Sequence, residues 1–172
     1  MILINEIKTE RLILRPTTID DVEFILQQLN MPKWHEFIGD RKVKTLAQAK
    51  KYITTKLRPQ IDKLGYGTFT VIRKSDGVKL GTCGLYDREG IEGIDIGFAF
   101  LTQYEKNGYA YESSNKLKQV ALNKFNLKHI NAITTVKNIS SQKLLEKLGL
   151  KYIKMIQLAD EGEQVMLYQY KT

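Results

Sequence analysis

The sequence predicts an α+β fold, a mixed, mostly antiparallel sheet of six to seven strands flanked by about four helices. Three observations carry this. Apolar residues recur at helical spacing early in the chain and at the two-residue spacing of strands from residue 68 onward. Short turns rich in Gly and Asp join successive strand-like runs into hairpins. Between 94 and 136 a strand-like run, a helical run and a second strand-like run follow one another, the pattern of one crossover connection.

RLILRP (11–16) alternates as a first strand and stops at Pro16. Thr18 with Asp21, three residues on, has the spacing of a capping box and starts a helix whose buried face is Val22, Ile25, Leu26 and Leu29. Thr45 and Gln48 repeat that signal ahead of a second stripe, Leu46, Ala49, Ile53 and Leu57, which Pro59 is expected to interrupt. TFTVIR (68–73) and VKLGTCGL (78–85) form a hairpin across KSDG, with Asp76 and Gly77 expected to supply positive φ. The turn DREGIEG (87–93) leads into IDIGFAFL (94–101). A helix over 112–126 buries Leu117, Val120, Ala121 and Phe125, and HINAITTV (129–136) is the next strand. A short helix over 137–150 ends at Gly149. YIKMIQL (152–158), the turn ADEGE and VMLYQY (165–170) make a final hairpin.

A length of 172 residues is that of a single domain, 1–172, large enough to bury a core without a metal or disulfide staple. No apolar run reaches the roughly 18 residues of a membrane span, and the N-terminus lacks the apolar stretch of a signal peptide, so no membrane partner is expected. One cysteine, Cys83, excludes an internal disulfide framework and fits a reducing cytoplasm. The formal net charge of +8 points to an anionic partner, and the excess is concentrated where Arg41, Lys42, Lys44, Lys50, Lys51, Lys56, Arg58 and Lys63 face Asp62 alone. No nucleic-acid-binding motif accompanies it, so no specific nucleic acid is expected. His35 and His129 form no cluster with Cys or Asp, so no metal site is expected, and Cys83 inside LGTCGL reads as core rather than nucleophile.

The stretch LTQYEKNGYAYES (101–113) joins the end of a strand to the start of a helix. Backbone N–H groups left unpaired there, together with the positive end of the helix dipole, can bind an anion. The spelling fits neither a P-loop nor a dinucleotide fingerprint, because Gly108 is followed by Tyr109 and Ala110.

TERLILRP, IDIGFAFL, YEKNGYAYES and VKNISSQKLLEKLGL stand in an order and spacing that resemble the GNAT superfamily of acetyl-CoA-dependent N-acetyltransferases, over residues 9–155. The resemblance is closest to the RimJ/RimL-like branch, which modifies α-amino groups of ribosomal proteins. It implies a GNAT fold, acetyl-CoA as cosubstrate without a metal, and an amine acceptor, either a protein N-terminus or a small molecule. In the family this loop reads Gln/Arg-x-x-Gly-x-Gly/Ala and its amides bind pyrophosphate. Lys106, Asn107, Gly108, Tyr109 and Ala110 are the matching positions, while Glu105 departs from Gln/Arg. The resemblance further implies that the backbone of Phe98, Ala99, Phe100 and Leu101 pairs with the pantetheine arm, that Asn138 hydrogen-bonds it, and that Trp34 and His35 line the acceptor pocket.

Acetyl transfer needs a neutral nucleophile, yet at pH 7 fewer than about one in two thousand lysine-type amines are uncharged, so a general base helps. Asp95 lies where histone-type members carry a catalytic glutamate, and Ser141 matches the serine that RimL-like enzymes place near the sulfur. The tyrosine that many relatives use four residues later is Leu145 here. Asp95 is therefore the expected base and Ser141 the expected acid, in direct attack within a ternary complex. The alternative is a non-catalytic acyl-CoA-binding module on the same fold. The sequence leaves monomer and homodimer equally open.

Overall fold

The computed structural model describes residues 4–158 and 162–171. The strands are β1 (Ile7–Lys8), β2 (Leu12–Pro16), β3 (Thr68–Arg73), β4 (Lys79–Asp87), β5 (Ile94–Phe100), β6 (His129–Thr134), β7 (Lys151–Gln157) and β8 (Gln164–Lys171). The α-helices are α1 (Val22–Leu29), α2 (Pro32–Phe37), α3 (Leu46–Tyr52), α4 (Arg58–Leu64), α5 (Tyr109–Lys124) and α6 (Ile139–Lys147). The strands join in one sheet ordered β1-β2-β3-β4-β5-β6-β8-β7. All neighbours are antiparallel except β5 and β6, which α5 connects. The strand beyond the expected count is β1, whose two residues are too few to show an alternation. Part of the expected ADEGE turn, 159–161, lies outside the described residues.

Helix α5 packs across β2, β4 and β5. Leu117 and Ala121 of α5 meet Leu14, Phe69, Leu85 and Ile96 of the sheet, all buried. Burying each large side chain of this kind contributes about 1.5–3 kcal/mol. Phe125, just past α5, packs edge-on against Tyr66 at 4.6 Å between ring centroids. A second cluster joins α1 and α3 through Phe24, Ile25, Leu29, Ala49 and Ile53, with Leu101 beneath.

Both capping boxes form. Thr18 N–H donates to Asp21 Oδ2 at 3.0 Å, opening a 3-10 turn that leads into α1. Gln48 N–H donates to Thr45 Oγ1 at 3.2 Å at the start of α3. Leu46, at the first position of α3, is half exposed rather than part of the buried stripe. Pro59 does not interrupt the helical run. A π turn at Ile53–Leu57 widens the helix, and Arg58 N–H reaches back to Ile53 O before α4 begins. Pro59 then occupies the first turn of α4, where a missing N–H costs nothing.

In the β3–β4 turn only Gly77 takes positive φ, +72°. Asp76 acts through its carboxylate instead, accepting from Val78 N–H at 3.2 Å and from Arg73.

The feature that makes a site is the junction of β5 and β6. Their parallel ladder pairs only Asp95 with Asn131. Asn131 is buried and fixed on both sides, Nδ2 donating to Glu92 O and Oδ1 accepting from Gln169 Nε2, each at 2.8 Å. Past this point β6 follows β8, β5 follows β4, and the two strands part.

Candidate active site

The parting strands open a cleft of about 370 Å³. Asp95, Gly97, Phe98 and Ala99 of β5 form one wall, Ile133 and Thr134 of β6 with Thr135, Asn138 and Ser141 form the other, and α1, α2 and the α3–α4 run roof it. Of the residues expected from sequence, Trp34, Asp95, Phe98, Ala99, Asn138 and Ser141 meet in this one cleft.

The exposed edge of β5 is narrower than expected. Leu101 N–H donates to Leu80 O at 2.9 Å, and Ala99 O accepts from Gln28 Nε2 at 2.8 Å. Backbone groups of successive strand residues point to opposite edges, so of the four expected residues Phe98 and Phe100 face the open side. Ala99 and Leu101 turn toward β4. Thr135 Oγ1 is buried on the opposite wall without a hydrogen-bond partner.

Past the end of β5, Gly108 caps α5 with φ +80°, and no side chain caps the helix. Among the described residues, no hydrogen bond within the protein uses the amides of Asn107, Gly108, Tyr109, Ala110 or Tyr111. Lys106 also takes positive φ, +61°. Arg11 leans over this terminus. Its guanidinium lies 4.5 Å from the Tyr109 ring centroid, donates to Asn107 O at 3.1 Å, and pairs with Glu112 at 2.7 Å. Glu112 in turn accepts from Thr9 Oγ1 and Arg11 N–H, tying the turn before β2 to the first turn of α5. A positive helix end with open amides, beside an arginine, is suited to a phosphate group.

Deep in the cleft Asp95 is buried, 1% exposed, and faces Arg88 at 3.3 and 3.4 Å. Burial pushes its carboxyl above the usual range, while Arg88 pulls it down. The ring of Tyr86 lies against Gly84 and Gly97, which pair across β4 and β5. A Cβ on Gly84 would come 2.4 Å from the Tyr86 hydroxyl and one on Gly97 3.0 Å from the ring, so these glycines make its seat. Burial raises the Tyr86 hydroxyl, and it raises that of Tyr52, which Arg41 and Arg88 pull back down.

Asn138 caps α6, its Oδ1 accepting from Ser141 N–H at 3.1 Å. Its amide nitrogen is the part left over for a ligand. Ser141 is half-buried in the wall, and Ser140 is exposed. Leu145, at the tyrosine position of other relatives, is buried.

Trp34, Phe37 and Ile38 of the α2 segment line the cleft, whereas His35 does not, its Nε2 lying 3.8 Å from Asp40. Sequence reasoning missed Tyr52, Lys56, Leu57 and Gln60 around the π turn, Arg41 before it, and Tyr86 with Arg88. The charge excess over 41–63 was the available signal for Arg41 and Lys56. Cys83 is buried, its thiol pushed up to about 12 by burial, and it contacts Ser114 at 3.4 Å in the core. Among the described residues there is no group of three or more His, Cys, Asp or Glu that could hold a metal, and no helix is long and apolar enough to cross a membrane.

The family profile described as an acetyltransferase (GNAT) domain matches residues 11–151. The chain belongs to the GNAT acetyltransferase family. GNAT members use acetyl-CoA, and this chain is an N-acetyltransferase of that kind. It is 25% identical over 146 residues to the uncharacterized N-acetyltransferase YoaA of Bacillus subtilis (strain 168), covering 84% of this chain and 82% of that one. The GNAT fold superposes on an acetyltransferase from Agrobacterium tumefaciens str. C58 with TM-score 0.82 and 19% identity, over 100% of this chain and 97% of the other. It also superposes on RimL, a ribosomal α-N-protein acetyltransferase in complex with coenzyme A, with TM-score 0.81 and 14% identity over 96% and 97%.

Proposed function

We propose that this GNAT enzyme acetylates a primary amine, a protein N-terminal α-amine or a small-molecule amine, held in the β5–β6 cleft beside Asp95. The observation that supports this is the buried Asp95 on one wall facing the half-buried Ser141 side of the other, in a cleft walled by β5, the strand that leads into α5.

The residues present fit acetyl-CoA. The uncapped α5 terminus with Gly108 and Arg11 suits its pyrophosphate, and the open β5 edge at Phe98 and Phe100 suits an extended amide-bearing arm. The unpartnered Thr135 hydroxyl and the Asn138 amide nitrogen supply polar groups on the facing wall. When bound, acetyl-CoA supplies the acetyl group, the nitrogen–carbon bond forming as the carbon–sulfur bond breaks.

Asp95 accepts a proton from the ammonium form of the acceptor and so frees the nitrogen lone pair. Burial favours proton uptake at this carboxylate, and Arg88 keeps it ionised beforehand. Ser141, whose hydroxyl has no partner among the described residues, donates to the departing sulfur, which takes up the proton the nitrogen loses. Thiol release from acetyl-CoA over a panel of amines tests the reading. Asp95→Asn should lower kcat by about 10²-fold or more and remove the acid limb of the pH profile. Wild-type kcat in that variant would take Asp95 out of the chemistry.

A further inference from the structure

The roof of the cleft is more basic than a pocket for a simple amine needs to be. Arg41, Lys56 and Arg88 all line it, against the two carboxylates Asp87 and Asp95. Arg88 is committed to Asp95, and Asp87 is exposed, as are Arg41 and Lys56 at the rim of the cleft. Arg41 lies near the Tyr52 hydroxyl, and among the described residues neither Arg41 nor Lys56 has a carboxylate within ion-pair distance. Of the other cations of the segment, Lys44 pairs with Asp40 and Arg58 with Asp62 at the surface, and Lys42, Lys50, Lys51 and Lys63 do not line the cleft.

Their placement is built by the backbone. The π turn at Ile53–Leu57 interrupts the regular helix where Tyr52, Lys56, Leu57 and Gln60 all reach the cleft. Such turns are uncommon and concentrate at functional sites. Tyr52 is near both Arg41 and Arg88, and Lys56 follows Tyr52 by four residues along the same helical run, all of them lining the one cleft. An amine in water is itself a cation before Asp95 takes its proton. A bare ammonium would be repelled by this roof, whereas an acceptor that also bears an anion would be held by it.

Resting on the acetyltransferase reading above, we propose that the acceptor is an amine carrying a carboxylate or phosphate, and that Arg41 and Lys56 bind this anionic group while Asp95 faces the nitrogen. The guanidinium offers a planar two-point contact and the ammonium a point charge, a pair that takes either anion.

The test uses matched acceptors in a thiol-release assay: peptides beginning with Glu or Gln, phosphoserine amide against serine amide, and glucosamine 6-phosphate against glucosamine. The expected result is at least a tenfold higher kcat/KM for one or more anionic members, falling to about threefold or less in Arg41→Gln/Lys56→Gln, with coenzyme A affinity unchanged. The carboxylate and phosphate pairs separate the two sources of charge. Equal rates within every pair, or a preference that survives in the double variant, would overturn the proposal. In parallel, acetate and inorganic phosphate are titrated into the wild-type protein while the Arg41 side-chain NMR signal is followed. A saturable shift, absent in Lys56→Gln, supports the anion site even if no amine in the panel is acetylated, an outcome that counts against the transferase reading alone. No shift with either anion overturns the anion site whatever the rates.

Discussion

Glu105, the loop residue that departs from its family's pattern, is ion-paired with Lys33 of α2. Its carboxylate engages none of the loop amides, so the charge that would oppose a pyrophosphate is neutralised from a neighbouring helix. Both side chains are partly exposed, which limits such a pair to about 1 kcal/mol. Lys33→Ala should therefore weaken coenzyme A binding about two- to fivefold, and adding Glu105→Gln should restore it. Calorimetric titration of both variants decides this; an unrestored double variant would mean that Lys33 attracts the ligand directly.

Gly108 carries a different constraint. At φ +80° a side chain is strained by about 1–2 kcal/mol, and its Cβ would also lie 3.3 Å from Arg11 Nη2. Gly108→Ala should lower Tm by about 2–6 °C and weaken coenzyme A binding about tenfold as the loop relaxes away from positive φ. Unchanged affinity with lowered Tm would show that the amides do not hold the ligand.

Asn138 and Ser141 touch, yet their variants should separate. Asn138→Ala removes the cap of α6 and should cost about 1 kcal/mol of stability, with some loss of rate because Ser141 carries the capped amide. Ser141→Ala removes a hydroxyl that bonds nothing within the described residues, so stability should hold while kcat falls about tenfold or more. Urea melts alongside steady-state rates distinguish the two patterns.

The parts of this molecule that were legible in sequence are those set by residues a few positions apart. The capping boxes at Thr18 and Thr45, the hairpins and the Gly149 stop each depend on local chemistry, and each formed. What was not legible depends on distant chain meeting. The Arg88–Asp95 pair needs the β4–β5 register, and the free edge at Phe98 and Phe100 needs β6 to leave β5 after Asn131. The resemblance implied that Trp34 and His35 both line the acceptor pocket. Adjacent helical residues point about 100° apart, so with Trp34 in the cleft His35 lies outside it. The π turn hid the cleft-facing role of Lys56, since a regular helical period does not anticipate a widened turn.

Asp21 shows how strongly the α1 entrance is tied to the sheet. Its carboxylate is wholly buried and takes Arg15 at 2.8 Å through both oxygens, Lys79 at 2.7 Å, Thr70 Oγ1 at 3.0 Å and Thr18 N–H at 3.0 Å. Burial alone would raise its pKa, but Arg15, Lys79 and Thr18 together bring it down to about 2 from an ordinary 3.8. A carboxyl lowered in the folded state stabilises fully above its unfolded pKa and loses that contribution as pH falls through the folded one. The window is therefore about pH 4 down to about pH 2, and the contribution about 2 kcal/mol. Asp21→Asn should be about 2–4 kcal/mol less stable than wild type at pH 7, because it also leaves Arg15 and Lys79 without their anion. In urea melts the gap between the two proteins should narrow as pH drops from 4 toward 2. A gap that stays constant across that window would mean that shape, rather than charge, makes Asp21 necessary.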